Sequence, residues 1–481
     1  MAIAVHTPLF LVLDQGGHAS RAMVFNAQGD KLAEASLAVH TYRQADRVEL
    51  DASELVESLK TVALQVYDQL GDDQRYLVAA GLATQRSNML CWRHSNHEPL
   101  SPVLSWQDRR AEDKLKELDH QLIQHKTGLF ANAHYGASKM AWCLENIDKV
   151  KLAASQNDLC IGPMASYLAS RLTGAKEIAD PVNASRTLLW NIHDKDWDDE
   201  LCQLFGVDKS FLPPCVSSDH GFGVLSLHDH RLPLSIVTGD LSAAAFVNGK
   251  PLEDTAYITL GTGAFVQRIT HKLYSHPVLL DGMLWQSKSA QLISLEGTVN
   301  GAGSAISWLA VQHGVDESYI ISHLDQWCDE VQEPPLFLNA VSGIGSPLWC
   351  GHETSRFDQD ATLSEQAVAV LDSILFLLML NMQVMEEVLP KPRCINVSGG
   401  LASIDGLCQK LADLSALPVQ RNDETEGTAR GLAYLLSSLG SEWPARYTVF
   451  EPATNTPLAK QFTNWLHFIR NNVSDRCLYF K

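Results

Sequence analysis

The chain lacks the short signatures that mark several nucleotide and metal sites. It has no GxxxxGK[ST] phosphate loop and neither the HRD nor the DFG triplet of protein kinases. Its ten cysteines include no CxxC pair and no histidines at zinc-finger spacing, so they suggest neither a zinc site nor a disulfide framework. Reduced thiols are expected. Basic residues are scarce: 37 Lys and Arg against 56 Asp and Glu leave a net charge of −19, the wrong sign for a general nucleic-acid binder. The longest strongly apolar run, Ile374 to Leu380, is far short of the roughly 20 residues a membrane helix needs. No charged-then-apolar segment at the N-terminus reads as a signal peptide. A cytoplasmic protein with no membrane or nucleic-acid partner is the expectation. The N-x-S triplets at Asn183, Asn396 and Asn472 then read as chance matches.

What is present is a long, well-mixed sequence. Its 481 residues are 46% hydrophobic and 19% charged, enough for two or more domains with sizeable cores. Strand and helix patterns alternate as in an α/β protein. Helical periodicity runs through Ser53 to Leu70, Lys139 to Ile147 and Leu363 to Val388. Strand-like runs include Leu77 to Ala83, Val103 to Trp106, Leu232 to Val237 and Ala256 to Leu260. A boundary near residue 235 gives halves of 1–236 and 237–481. In the first half, LVLDQGGHASRAMVF (Leu11 to Phe25) sets an acid, two glycines, a histidine and an arginine between two apolar runs. A hairpin of Leu9 to Leu13 with Ala22 to Phe25 would expose Asp14 and backbone N–H groups at its turn, and the glycines would let a ligand approach closely. AYITLGTGAFVQRIT (Ala256 to Thr270) repeats the pattern in the second half. Two such hairpins imply two related domains facing each other across a cleft. INVSGGLASIDGLCQKLADL (Ile395 to Leu414) runs a strand through Gly399-Gly400 into a helix, a place for a nucleotide's phosphates or ribose near the backbone.

Taken in order, the motifs resemble the FGGY carbohydrate kinase family, and within it the glycerol kinases. The resemblance covers nearly the whole chain: GLATQRSNMLCW (Gly81 to Trp92), SWQDRR (Ser105 to Arg110), NASRTLLWN (Asn183 to Asn191), Gly239-Asp240, Leu295-Glu296-Gly297, Gly343 to Trp349 and Gly399-Gly400. It implies the actin, Hsp70 and hexokinase (ribonuclease H-like) ATPase fold, two α/β domains with ATP in the interdomain cleft. It implies ATP and Mg²⁺ as cofactors, a small sugar or polyol as acceptor, and a possible homodimer. By this resemblance Asp240 is the catalytic aspartate that orients and deprotonates the acceptor hydroxyl, and Asp14 holds the Mg²⁺ shell with Asp240 beside it. Gly16, Gly17, His18 and Arg21 would lie at the first phosphate turn, Gly261 and Thr262 at the second. Gly303, Ser307, Gly400, Leu401 and Ile404 would lie on the adenosine side. Arg86, Ser87, Trp106, Asp108, His134 and Leu241 would line the acceptor side. The alternative for Arg21 is a salt-bridged surface residue, and for Trp106 packing within a strand.

The chain departs from the family pattern where it matters for specificity. Gly17, His18 and Ala19 replace hydroxyl residues after Asp14-Gln15-Gly16, leaving Ser20 and Arg21. His18 is read either as a replacement donor or as projecting to solvent. Restoring threonine at 17 and 18 is expected to leave ATP affinity similar or better and acceptor choice unchanged. Ser87 stands where the resemblance places a glutamate, His134 where it places a tyrosine and Leu241 where it places a glutamine. The expectation is an ATP-dependent kinase of altered acceptor specificity. The alternatives are a non-catalytic pseudokinase that senses nucleotide or sugar, and a chaperone-type ATPase, disfavoured because no peptide-binding domain follows.

Overall fold

The computed structural model describes residues 7–473 apart from 352, 423, 425, 438–442 and 444–446. The chain forms two compact units and passes between them more than once. The first comprises Met1–Pro251, Gly282–Ile293 and Glu426–Pro444; the second comprises Leu252–Asp281, Ser294–Thr425 and Ala445–Lys481.

The first unit is built on a six-stranded sheet in the order Val224–Leu227, His230–Gly239, Leu77–Thr84, Leu9–Gln15, Ala19–Asn26, Lys31–Ala38. Leu9–Gln15 is an almost unbroken apolar run because it lies inside the sheet with both faces covered. It pairs antiparallel with Ala19–Asn26 and parallel with Leu77–Thr84. The hairpin arms run past the apolar residues, through Asp14 opposite Arg21 and Gln15 opposite Ser20, and leave Gly16, Gly17 and His18 as the connection. The helix Ala52–Gln69 covers one face with Leu55, Val56, Leu59, Val62 and Val66. Asp51 starts it by accepting the Ser53 and Glu54 N–H groups at 2.8 and 2.9 Å. The strand expected at Val103 to Trp106 stops at Leu104 and joins a five-stranded antiparallel sheet, while the helix expected from Lys139 begins at Gly136.

A seven-stranded sheet follows the order Leu280–Gln286, Gln291–Val299, Ala264–Thr270, Thr255–Leu260, Cys394–Ser398, Val419–Asn422, Tyr447–Phe450. Thr255–Leu260 pairs antiparallel with Ala264–Thr270 and parallel with Cys394–Ser398, repeating the arrangement around Leu9–Gln15. In the second unit's core runs the helix Leu363–Glu386, opened by a capping box of Thr362 and Glu365. By length and composition it could cross a bilayer, which the seven-residue run Ile374 to Leu380 did not foretell, but its apolar side chains are buried within its own unit. The thiol expectation needs one correction. Cys91, Cys143, Cys160, Cys202, Cys215, Cys328, Cys394 and Cys408 are free, whereas Cys350 is disulfide-bonded.

Candidate active site

In the first hairpin, Gly16 N–H closes the turn onto Ala19 O at 3.0 Å. The Gly17 carbonyl is held by Thr41 Oγ1 at 2.6 Å, and the Val39 N–H holds His18 O at 3.0 Å. No hydrogen bond among the described residues engages the Gly17 or His18 N–H, so these two donors are available to a ligand. His18 is exposed. Ser20, the hydroxyl the sequence retains, is turned inward. Its Oγ lies 2.7 Å from Gln15 Oε1 and 2.6 Å from Ser58 Oγ, and the residue is fully buried, so it offers nothing to a ligand at the turn. Arg21 Nη1 pairs with Glu426 Oε2 at 2.9 Å. Burial, the Asp240 charge and, more weakly, Glu426 push the Asp14 carboxyl up to about 7, with Arg21 opposing them.

Asp240 opens the short helix Asp240–Ala244 directly after the strand His230–Gly239. Its Oδ1 accepts the Leu241 N–H at 2.7 Å. Burial raises its pKa; the Arg86 charge first, then the hydrogen bond from the Leu241 N–H, and further down Arg186 act against that rise. A Cβ at Gly239 would lie 2.6 Å from Arg86 Cγ, so glycine there lets the Arg86 stem pass beside the aspartate. The helix Gly427–Leu436 locks this corner. Thr428 Oγ1 donates to Asp240 O at 3.3 Å, and Gly431 lets the Ala243 carbonyl come so close that any side chain would overlap it.

On the acceptor side, Lys139 is fully buried and its ammonium group reaches three carbonyls: Ser105 and His134 at 2.9 Å and Ser87 at 3.4 Å. It ties together three segments that the sequence motifs had named separately. Burial lowers its pKa to about 7. The His134 ring packs on Trp106 with centroids 5.2 Å apart. Burial, followed by Lys139, Arg109, Arg186 and Arg86, holds it well below its ordinary value, in the neutral form. Ser87 has a left-handed backbone (φ 66°), and its buried Oγ meets no partner among the described residues. Asp108 is turned away from this group. Its two oxygens take Arg110 at 2.9 and 2.7 Å, and Oδ2 also takes the Val48 N–H at 2.7 Å. It braces the loop and has no face left for an acceptor. Arg186, Arg109, Lys139 and Glu426 were given no role from sequence. The one available signal was a lone lysine opening an otherwise apolar helical pattern at 139.

In the second unit, Gly261 N–H closes onto Gly263 O at 2.9 Å, and Thr262 is exposed at the tip. The carbonyls of this turn accept the N–H groups that open the helix Gly303–His313: Gly303 to Gly261 O at 2.9 Å, Ser304 to Thr262 O at 3.0 Å. A Cβ on Gly303 would lie 2.9 Å from Gly261 O, so this glycine seats the turn on the helix. Ser307 Oγ is bonded to Glu317 Oε2 at 2.5 Å. Gly399 (φ 93°) brings the strand Cys394–Ser398 out against the Leu260 backbone, where no side chain fits, while a side chain on Gly400 would meet open space. Leu401 and Ile404 point into the core at 5% and 2% exposure, which leaves only their backbone for a nucleotide.

Among the described residues no three His, Cys, Asp or Glu side chains form a ready metal cage. The donor set at Asp14 nevertheless fits Mg²⁺. This cation takes one or two protein carboxylates and draws its other ligands from water and phosphate, and a divalent charge would offset the burial and the Asp240 charge that push the Asp14 carboxyl up.

Residues 9–246 match the FGGY family of carbohydrate kinases, N-terminal domain, and residues 256–438 match the C-terminal domain of the same family. The chain is similar to a glycerol kinase of Geobacter sp. (30% identical, covering 96% of this chain and 98% of the relative) and to one of Citrifermentans bemidjiense (31%, 92% and 94%). Among solved structures, the glycerol kinase of Plasmodium falciparum with ADP superposes with a TM-score of 0.87 at 21% identity, covering 97% of this chain and 98% of that one.

Proposed function

Because the chain belongs to the FGGY family of carbohydrate kinases, with their two-domain, actin-like α/β ATPase fold, we propose that it transfers the γ-phosphoryl group of ATP to a small polyol or sugar other than the usual acceptor of its glycerol kinase relatives. The acceptor-side residues and the first phosphate turn belong to the first unit, the second phosphate turn and the adenosine-side residues to the second. The acceptor hydroxyl oxygen bonds to the γ-phosphorus as the bond to the β–γ bridging oxygen breaks. ADP leaves with that electron pair, and the hydroxyl proton passes to the Asp240 carboxylate. When bound, Mg²⁺ neutralises phosphate charge, with Asp14 and Asp240 as the residues to hold it. In the first unit, the N–H groups of Gly17 and His18 are available as donors to phosphate. Altered specificity is supported by Ser87, His134 and Leu241. Together they give the acceptor a hydroxyl, a neutral ring packed on Trp106 and an aliphatic side chain, with no carboxylate or amide among them.

The observation that carries the reading is the setting of Asp240: a partly buried carboxylate at the start of a helix, fixed by the Leu241 N–H and flanked by two arginines. Asp240→Asn keeps the shape and removes the base. It is expected to melt like the parent and to lose phosphoryl transfer by about a hundredfold or more, measured as ADP release. Activity within about tenfold of the parent would refute the role.

A further inference from the structure

In the second unit the helices Glu317–Glu330, Leu363–Glu386, Asp405–Ser415 and Thr456–Asn472 all contribute to the lining of a cavity of about 230 Å³. That is below the roughly 300–1,000 Å³ of ordinary ligand pockets and too small for a nucleotide. On its wall Lys410 Nζ pairs with Asp372 Oδ1 at 2.7 Å, the aspartate side chain 2% exposed and the lysine's 13%. The other carboxylate oxygen, Asp372 Oδ2, is buried and accepts no hydrogen bond among the described residues. Burial pushes this carboxyl up, and Lys410 is the cation that opposes the rise. An unmatched oxygen on a buried carboxylate is costly, so the site gains from a second donor, and most from a charged one. The other polar groups of the lining are acceptors. Gln409 Nε2 is taken by Asp413 Oδ1 and Glu451 O at 2.8 and 2.9 Å, and Gln461 Nε2 by Pro334 O at 2.7 Å, which leaves the carbonyl oxygen of each amide. Asp413 is spent on Gln409, the Ala453 N–H and Asn455, and adds charge alone. Three lining carboxylates, Asp329, Asp372 and Asp413, against the one ammonium of Lys410 leave a net charge of −2. Just outside the lining, Asp325 acts on Cys328 with negative sign, Lys460 follows Ala459 on the exposed side of its helix, and Arg421 is matched by Asp405 at 2.6 Å, so the balance stays negative. An anion would be repelled here, and a neutral polyol would leave the charge unmatched.

We propose that this cavity binds a short aliphatic amine cation, a diamine in preference to a monoamine, with one ammonium group donating to Asp372 Oδ2, the hydrocarbon stem against Pro457 and Leu458, and the far end towards the exposed Asp329. Lys410 keeps its bond to Oδ1, so the ligand brings a second cation to the carboxylate and does not displace the first. Every residue of the site belongs to the second unit, none of them is assigned to phosphoryl transfer, and the proposal stands independently of the kinase reading.

The test is titration calorimetry of the full chain with diaminobutane, butanediol and succinate, probes of one length that differ in charge. The diamine is expected to bind at least about tenfold more tightly than either of the others, and less tightly as salt is added. Because the whole chain carries a net charge of −19, the place of binding is read separately. Cys328 is a free, half-buried thiol on the cavity wall, and Cys394 is a free, half-buried thiol outside it. The diamine should slow alkylation of Cys328 by iodoacetamide severalfold and leave Cys394 unchanged, measured by peptide mass spectrometry. Asp372→Asn should weaken diamine binding by about tenfold or more, and Asp329→Asn, an exposed change, by less. Equal binding of butanediol or succinate overturns the proposal, as does the absence of diamine binding at millimolar concentration. Diamine binding that neither protects Cys328 nor responds to Asp372→Asn also overturns it, as attraction to the acidic surface at large. The alkylation is read on the parent chain, so it decides even where Asp372→Asn fails to fold.

Discussion

At Gly17, the atom a side chain would add lies 3.0 Å from Gln85 Nε2 and 3.1 Å from its Oε1. Gln85 Oε1 accepts from Asn88 Nδ2 at 3.2 Å, and Asn88 Oδ1 accepts the Trp106 N–H at 2.8 Å. The first hairpin turn therefore lies beside two linked amides, the second of which holds the backbone of Trp106, whose ring packs on His134. Threonine at 17 cannot simply restore a hydroxyl, since the Gln85 amide must first give way by a few tenths of an ångström. Gly17→Thr should weaken ATP binding and also raise the acceptor KM severalfold, which reverses the expectation that hairpin changes leave acceptor choice alone. Steady-state kinetics varying each substrate in turn will decide, and an effect confined to ATP would disprove the linkage. At 18 there is no such obstacle, because the side chain is already in solvent.

The contact between the helices Gly427–Leu436 and Asp240–Ala244 governs where the Asp240 carboxylate, the proposed base, stands. Its tightest point is backbone against backbone, Gly431 on the Ala243 carbonyl, so no rotamer change can relieve a larger residue there. Gly431→Ala gains up to about 1 kcal/mol of helix propensity but overpacks the contact by about 1–3 kcal/mol. The expected outcome is a modest fall in melting temperature with a much larger fall in kcat, on the order of a hundredfold, as Asp240 is displaced. A variant as active as the parent would show that the helix does not position the base. Little of this was legible in advance. The two hairpins, the core helices and the motif order could be read because period and turn chemistry are local. The helix pair could not, because its members lie almost two hundred residues apart and neither sequence names the other. Likewise the sequence places Lys139 in a helix, but the three carbonyls that hold it come from three other segments. Ser20 and Asp108 look like ligands by type, and only their partners reveal that they face inward.

For the whole molecule, the buried Lys139 links stability to pH. Folded, it keeps its proton only below about pH 7; unfolded, it keeps it to its ordinary value of 10.5. Between these values the unfolded chain binds the extra proton, so stability rises with pH across that window, and below pH 7 the full penalty of a buried charge remains. Lys139→Met should be less stable throughout, with three carbonyls left bare, and its melting temperature should rise less than the parent's between pH 7 and 10. Parallel curves for the two proteins would contradict this. The segmented make-up of the first unit has a consequence for biosynthesis. The helix that seats Asp240 begins at Gly427, about 175 residues after the ribosome has released Pro251. At 5–20 residues per second that interval is roughly 10–35 s, during which the nascent chain holds its sheet and Asp240 with the Leu432 side of Gly81 uncovered. Seating of the proposed base thus waits until Gly427–Leu436 has been translated, and a message cut short before it yields a chain that holds Ser87, His134 and Leu241 but no helix to seat Asp240.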